Sequence, residues 1–238
     1  MCTVSFLPMQ TGFALAMNRD EKKSRAKGEK PRQARTGRHL SLHPSEPGGG
    51  TWIGVNQGGL ALALINWHAE PLNERAHLSR GIVVPHLLAA ETLARATIRF
   101  ASLPLQHINP FRLIAASLSE RRLLEWRWNG DCLSRSQKAW ERSHWFSSGH
   151  DETGVAEARA KTARQTRGTL SHLRRLHRSH QPERSAFSVC MHREDAETVS
   201  YTEILAFSRG AQMRHAPGAL CKERLGAASF LSFRAPLA

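Results

Sequence analysis

The segment Leu60-Ala61-Leu62-Ala63-Leu64-Ile65 has no polar position. It follows the run Thr51 to Val55 and the turn Asn56-Gln57-Gly58-Gly59, so it reads as the return strand of a β-hairpin that ends at Asn66. Successive side chains of a strand point to opposite faces. A strand that is apolar on both faces has to lie between two layers.

The first 20 residues predict another hairpin. Thr3 to Leu7 is an extended, apolar-rich run, Pro8 closes it, Met9 to Gly12 turn, and Phe13 to Met17 run back. If Pro8 faces Phe13, Cys2 falls opposite Arg19, flanked by Asn18 and Asp20. Residues 21–50 then change character. Lys, Arg, Gly, Pro and Ser dominate, which predicts a mobile basic loop ending in Gly48-Gly49-Gly50. Gly81 to Leu103 is helical in composition, with Leu87, Leu88, Leu93, Ile98 and Phe100 expected inside and Pro85 starting or breaking a helix. Ile108 to Ala116 and Arg122 to Trp128 read as strands. A helix capped by Asp151 is expected to run, interrupted near Gly168, to about His177. Ala186 to His192 and Thr198 to Phe207 predict a third hairpin, and short strands follow between Gln212 and Phe233. The expectation is one α+β domain over residues 1–238.

Composition narrows the function. With 40% hydrophobic residues, six Trp and nine Phe, the chain has a sizeable core to bury. No apolar run approaches the roughly 18 residues of a membrane span, and the N-terminus lacks a signal-peptide pattern, so a cytoplasmic protein is expected. Cys2, Cys132, Cys190 and Cys221 lie far apart with no C-x-x-C pair, and no metal site is predicted. On a helix, His172, His177 and His180 would spread around the axis. Cys190 and His192 would share a strand face as core and edge residues. The formal charge of +14 favours anionic partners. Nucleic acid is disfavoured, because aromatics do not interleave with the basic His-rich stretch. The oligomeric state is not readable.

Position marks the most reactive candidate. Cys2 directly follows Met1, and Met is removed before small residues, which would leave a thiol and a free α-amine on one residue. An α-amine titrates near ~7.7–8.0, so it is suited to act as general base for its own side chain. Arg19 opposite would stabilise the thiolate, and Asp20 would hold Arg19 or the ammonium.

The runs MCTVSFLP, LAMNRDE (Leu15 to Glu21), GGTWIGVN (Gly49 to Asn56) and ALINW resemble the NRDE family, called transport and Golgi organisation protein 2 in eukaryotes. The resemblance implies a four-layer αββα sandwich of the N-terminal-nucleophile (Ntn) hydrolase type, with two antiparallel sheets between helices. It implies haem trafficking, or an acyl-CoA or lipid ligand, with no cofactor required and haem as possible cargo. On that reading the partner is an anionic amphipathic small molecule held by Asn18, Arg19, Glu21, Arg32, Arg35 and Ser148, with Arg38 nearby. The alternative is a cysteine amidohydrolase cleaving a non-peptide amide. In it Cys2 is the nucleophile, Arg19 and Asp20 tune it, and Asn66 is the oxyanion donor. The resemblance places the carrier slightly ahead and leaves open whether the chain is an enzyme. Arg19 and Asp20 are adjacent, so on a flat strand they point to opposite faces; either the strand ends at Asn18 or only one of the two reaches Cys2.

Overall fold

The computed structural model describes residues 2–234. The first sheet contains β1 (Cys2–Met9), β2 (Gly12–Lys22), β10 (Ser143–Ser147), β11 (Ala196–Phe207), β12 (Gly210–Ala216) and β13 (Ser229–Ser232), in the order β10-β1-β2-β11-β12-β13. The second is a meander in chain order: β3 (Glu29–Thr36), β4 (His39–Ser45), β5 (Ile53–Asn56), β6 (Leu60–Asn66), β7 (Phe111–Ser117), β8 (Arg122–Trp128) and β9 (Leu133–Lys138). Pairing between the named strands is antiparallel throughout.

Strand β6 explains the stacking. Ala61, Ala63 and Ile65 face the first sheet, where they meet a core that includes Val4, Phe6, Phe13, Leu15 and Met17. Leu60, Leu62 and Leu64 face the other way, into a layer with Leu124, Trp126 and Trp128 of β8. Helices α1 (Val83–Leu88) and α2 (Leu93–Phe100) cover that layer with Leu87, Leu93 and Phe100. Small residues on the inner face let the sheets approach, and each leucine buried under the helices contributes about 2 kcal/mol. The outer face of the first sheet is covered by α3 (Glu152–Arg164) and α4 (Leu170–Leu176). Leu173 packs with Leu7, Ala14, Tyr201 and Leu205, and Ala163 with Phe146. The order is therefore helix, sheet, sheet, helix, as expected for an α+β sandwich. Among the described residues no helix is long and apolar enough to cross a membrane.

The first two hairpins form as read, with Pro8 opposite Phe13, and Gly59 supplies the positive φ of +77° in the second turn. Asp151 caps α3 by accepting the Gly154 N–H. Other expectations are corrected. Residues 21–50 are not one loop: β2 continues to Lys22, and β3 and β4 pair as a hairpin of the second sheet. Strand β3 is an edge whose charged residues face water, so it carries no alternating apolar signal. Residues 186–192 are not a strand, and the third hairpin is β11 with β12. Ile98 is 63% exposed, on the outer side of α2. Strands β9 and β10 were not anticipated.

Candidate functional site

Strand β1 is paired on both sides from its first residue, with Cys2 opposite Arg19 of β2 and Ser147 of β10. Directly opposed residues of an antiparallel pair share a face. Cys2 and Arg19 therefore both point between the sheets. They line a cleft of about 160 Å³ with Trp52, Leu64, Asn66 and Arg80. The Arg19 guanidinium lies over the Trp52 ring at 4.6 Å and donates to Glu46. Glu46 also accepts from Arg25, which pairs with Glu21 at 2.8 Å. Arg19 thus arrives partly neutralised.

Arg80 differs. It donates to the Pro110 carbonyl at 3.1 Å but makes no ion pair among the described residues. Burial lowers its pKa, and the nearby Cys2 sulfur opposes that shift. Burial likewise pushes the Cys2 thiol up, and the Asp20 carboxylate adds to this, while the Asp20 backbone N–H and the Arg19 charge pull it down. The Trp52 indole N–H is buried in the cleft wall with no hydrogen-bond partner. The cleft therefore offers a sulfur, a cation that makes no ion pair among the described residues and, in Trp52, an uncommitted donor.

Asn18 and Asp20 point to the other face, toward the helices. The Asp20 carboxylate accepts from Arg159 at 3.2 Å and from Thr198 at 2.7 Å, all three groups buried. Arg159 also donates to Thr3 and to the Ala186 carbonyl. Asn18 donates to the carbonyls of His177 and Val189, at 3.0 and 2.8 Å. Its Oδ1 stands 3.0 Å from His177 Nδ1, whose Nε2 is 2.9 Å from Ser5 Oγ. Since Asn18 Oδ1 only accepts, His177 carries its proton on Nδ1 and Nε2 accepts from Ser5. Burial holds the His177 pKa down to about 3, so the imidazole is neutral. These residues fasten the 177–191 segment onto the sheet.

Of the predicted residues, the cleft gathers Cys2, Arg19, Glu21 and Asn66, and the Asn66 side-chain amide has no hydrogen bond among the described residues. Asp20 reaches it through its backbone alone, and Asn18 not at all. Arg32 and Arg35 are exposed on edge strand β3, Arg32 pairing with Glu29, so neither they nor Arg38 surround Cys2. The Ser148 N–H is donated to Glu152 at 2.7 Å, an ordinary helix-start contact. Sequence reading missed Trp52, Glu46 and Arg80. Only Trp52 carried a signal, as the apolar residue next to the Gly48-Gly49-Gly50 turn. Asn56 holds the β5–β6 turn, accepting from Gly58 and Leu60 and donating to Leu88. A second cavity of about 640 Å³, lined by His39, Gly59, Leu118 and Phe233, lies at the opposite end of the sandwich among the hairpin turns.

The family model described as Transport and Golgi organisation 2 matches residues 1–213. Among solved structures, penicillin V acylase from Agrobacterium tumefaciens is similar with a TM-score of 0.55 and 12% identity, covering 98% of this chain and 86% of that one. Two forms of conjugated bile acid hydrolase from Clostridium perfringens each give a TM-score of 0.51, at 10% and 9% identity, with 97% or more of each chain covered. At these identities the likeness is one of fold. No curated protein matches the sequence.

Proposed function

The chain belongs to the Transport and Golgi organisation 2 family, and from its cleft we propose that it is an N-terminal-nucleophile cysteine amidohydrolase for small anionic N-acyl compounds. The observation that carries this reading is the placement of Cys2, sunk at the cleft floor opposite Arg19, with Arg80, which makes no ion pair among the described residues, and Asn66 around it. Once Met1 is removed, the Cys2 α-amine takes the thiol proton and the sulfur attacks the amide carbonyl. The C–S bond forms and the oxyanion is met by Asn66. The C–N bond then breaks, the departing amine receives the proton from the α-ammonium, and water hydrolyses the thioester. Arg80 binds the substrate carboxylate. The volume of about 160 Å³ supports a small substrate, because it lies below the ~300–1,000 Å³ of ordinary ligand pockets. The penicillin V acylase and bile acid hydrolase neighbours, named for amide-cleaving activities, lend this the same architecture.

The carrier reading rests on a different place. Haem or an acyl-CoA-like ligand exceeds the Cys2 cleft, whereas the cavity of about 640 Å³ beside Leu118 and Phe233 has the volume and the apolar lining. Strand β1 separates the two sites by its full length of eight residues, about 25 Å.

Intact denatured mass, followed by incubation with a panel of N-acyl amino acids, tests the enzyme. The expected result is loss of Met1, a transient acyl adduct and release of amine, all but the first abolished in Cys2→Ala. Retained Met1 with no turnover would sink it. Saturable haem binding that ignores Arg19→Ala but fails in Leu118→Trp would establish the carrier.

A further inference from the structure

Away from the cleft, four side chains that the sequence scatters come together. His180, Cys190, His192 and Cys221 each present one ligand atom, and all four atoms lie within 4.8 Å of one another. His180, Cys190 and His192 belong to the coil between α4 and β11, and Cys221 to the segment after β12. The two sulfurs are 3.5 Å apart, and His192 Nε2 stands 3.2 Å from Cys221 Sγ and 3.7 Å from Cys190 Sγ. A tetrahedral zinc ion with Zn–S ~2.3 Å and Zn–N ~2.0–2.1 Å has S···S edges of about 3.8 Å and S···N edges of about 3.6 Å. The three spacings among Cys190, His192 and Cys221 are those edges to within about 0.4 Å, and His180 completes the set within 4.8 Å. They are much too long for a disulfide, whose S–S bond is ~2.05 Å.

We propose that these four residues form a structural Cys₂His₂ site for a single zinc ion, tying the 177–195 segment to the segment after β12. Two further observations support it. The Nε2 of His180 is buried without a hydrogen-bond partner, although its ring lies only 5.2 Å from that of His192. His192 turns Nε2 to the sulfurs and Nδ1 to Glu197 at 3.5 Å, and Glu197 is held by Lys222 at 2.9 Å. That is the carboxylate–histidine support typical around zinc-bound imidazole. Zinc binding displaces the two thiol protons. Two S–H bonds break, two Zn–S bonds form, both protons leave to solvent, and the ion with two thiolates and two neutral imidazoles is uncharged overall. The cluster is too tight for a two-iron centre, in which the His pair and the Cys pair sit on different metals. Softness of the donors excludes magnesium and calcium.

The sequence concealed the site because no two ligands follow a C-x-x-C rule and Cys221 is 29 residues beyond His192. It also corrects two sequence expectations: His180 lies past the end of α4 and so escapes the helical spread, and Cys190 converges with His192 without a strand.

The test is metal content of the reduced full chain grown with zinc, together with the visible spectrum of chelator-stripped protein loaded with cobalt(II). One zinc per chain is expected, with the intense bands of tetrahedral thiolate-bound cobalt. Cys221→Ser, at the surface, should abolish both, and Glu197→Gln should weaken zinc binding roughly 10–100-fold. Cys132→Ser should change neither. Absence of stoichiometric metal and of the cobalt bands in the reduced chain would overturn the proposal. So would cobalt bands that survive Cys221→Ser, or a Cys190–Cys221 disulfide in protein that takes up no metal after reduction. The wild-type spectrum keeps the test decisive even if a variant fails to fold.

Discussion

The two faces of β2 at residues 18–21 put adjacent side chains to opposite uses. On the inner face, Arg19 and Glu21 look into a cleft and trade partners among Glu46 and Arg25, with water close by. On the outer face, Asn18 and Asp20 are fully enclosed and bonded to buried groups, Asn18 to His177 and Val189 and Asp20 to Thr198 and Arg159. On the proposed reading, the inner pair meets something that arrives. The outer pair is arranged to hold something that never leaves. One four-residue signature thus both lines the cleft and fastens the loop packed behind it.

If this division is right, substitutions should separate activity from stability. Cys2→Ala should remove turnover of the N-acyl panel entirely while shifting the urea midpoint little. A large stability loss there would erase the contrast. Asp20→Ala should do the reverse first. It leaves the Arg159 guanidinium buried without its carboxylate, which costs about 3–5 kcal/mol by chemical denaturation. A loss under about 1 kcal/mol would mean the outer face is not the anchor.

Acid probes the same face. Burial holds His177 at about 3 and His144 at about 4, against ~6.5 in the unfolded chain. Between those values the unfolded chain binds more protons, so stability is full above about pH 6.5 and is lost as pH falls through the window. His177 alone contributes several kcal/mol to this slope by linkage, on the order of 4–5. Denaturation midpoints measured from pH 7 to pH 4 should fall steeply, and His177→Gln should flatten the curve. Arg80→Gln should raise KM for anionic substrates roughly 10–100-fold, about 1.4–2.7 kcal/mol, with kcat nearly unchanged. The smallest effect belongs to Arg32→Ala and Arg35→Ala on the edge of the other sheet, within about 0.5 kcal/mol and with no change in rate.

How legible was this in the sequence? Central strands announced themselves. Setting Pro8 against Phe13 across the first turn put Cys2 opposite Arg19, and the doubly apolar β6 pointed to the layering. The strands missed were β3, β4, β9 and β10, all at or next to sheet edges; on β3 and β9 charge and polarity protect the unpaired backbone and hide the period, and β4 was read as part of the same basic loop as β3. Residues 186–192 misled for the opposite reason. They are apolar enough for a strand, but side chains of Asn18 and Arg159 take carbonyls there that a neighbouring strand would have used. Within the cleft, Cys2 and Arg19 were readable from register. Arg80 was not, because it comes from a short helical turn that packing against Gly50, and no local pattern, brings across.

The order in which pairings become possible sets a clock. Strand β2 ends at Lys22, yet its neighbour β11 begins at Ala196, and β1 waits for β10 at Ser143. At roughly 5–20 residues per second of synthesis, the leading hairpin stands open for on the order of ten to forty seconds before its second flank exists. If Cys2 is to act as the proposed nucleophile, enzymes that trim nascent chains have that interval to reach it. Once β10 and β11 dock, Cys2 is 8% exposed, and the interval closes.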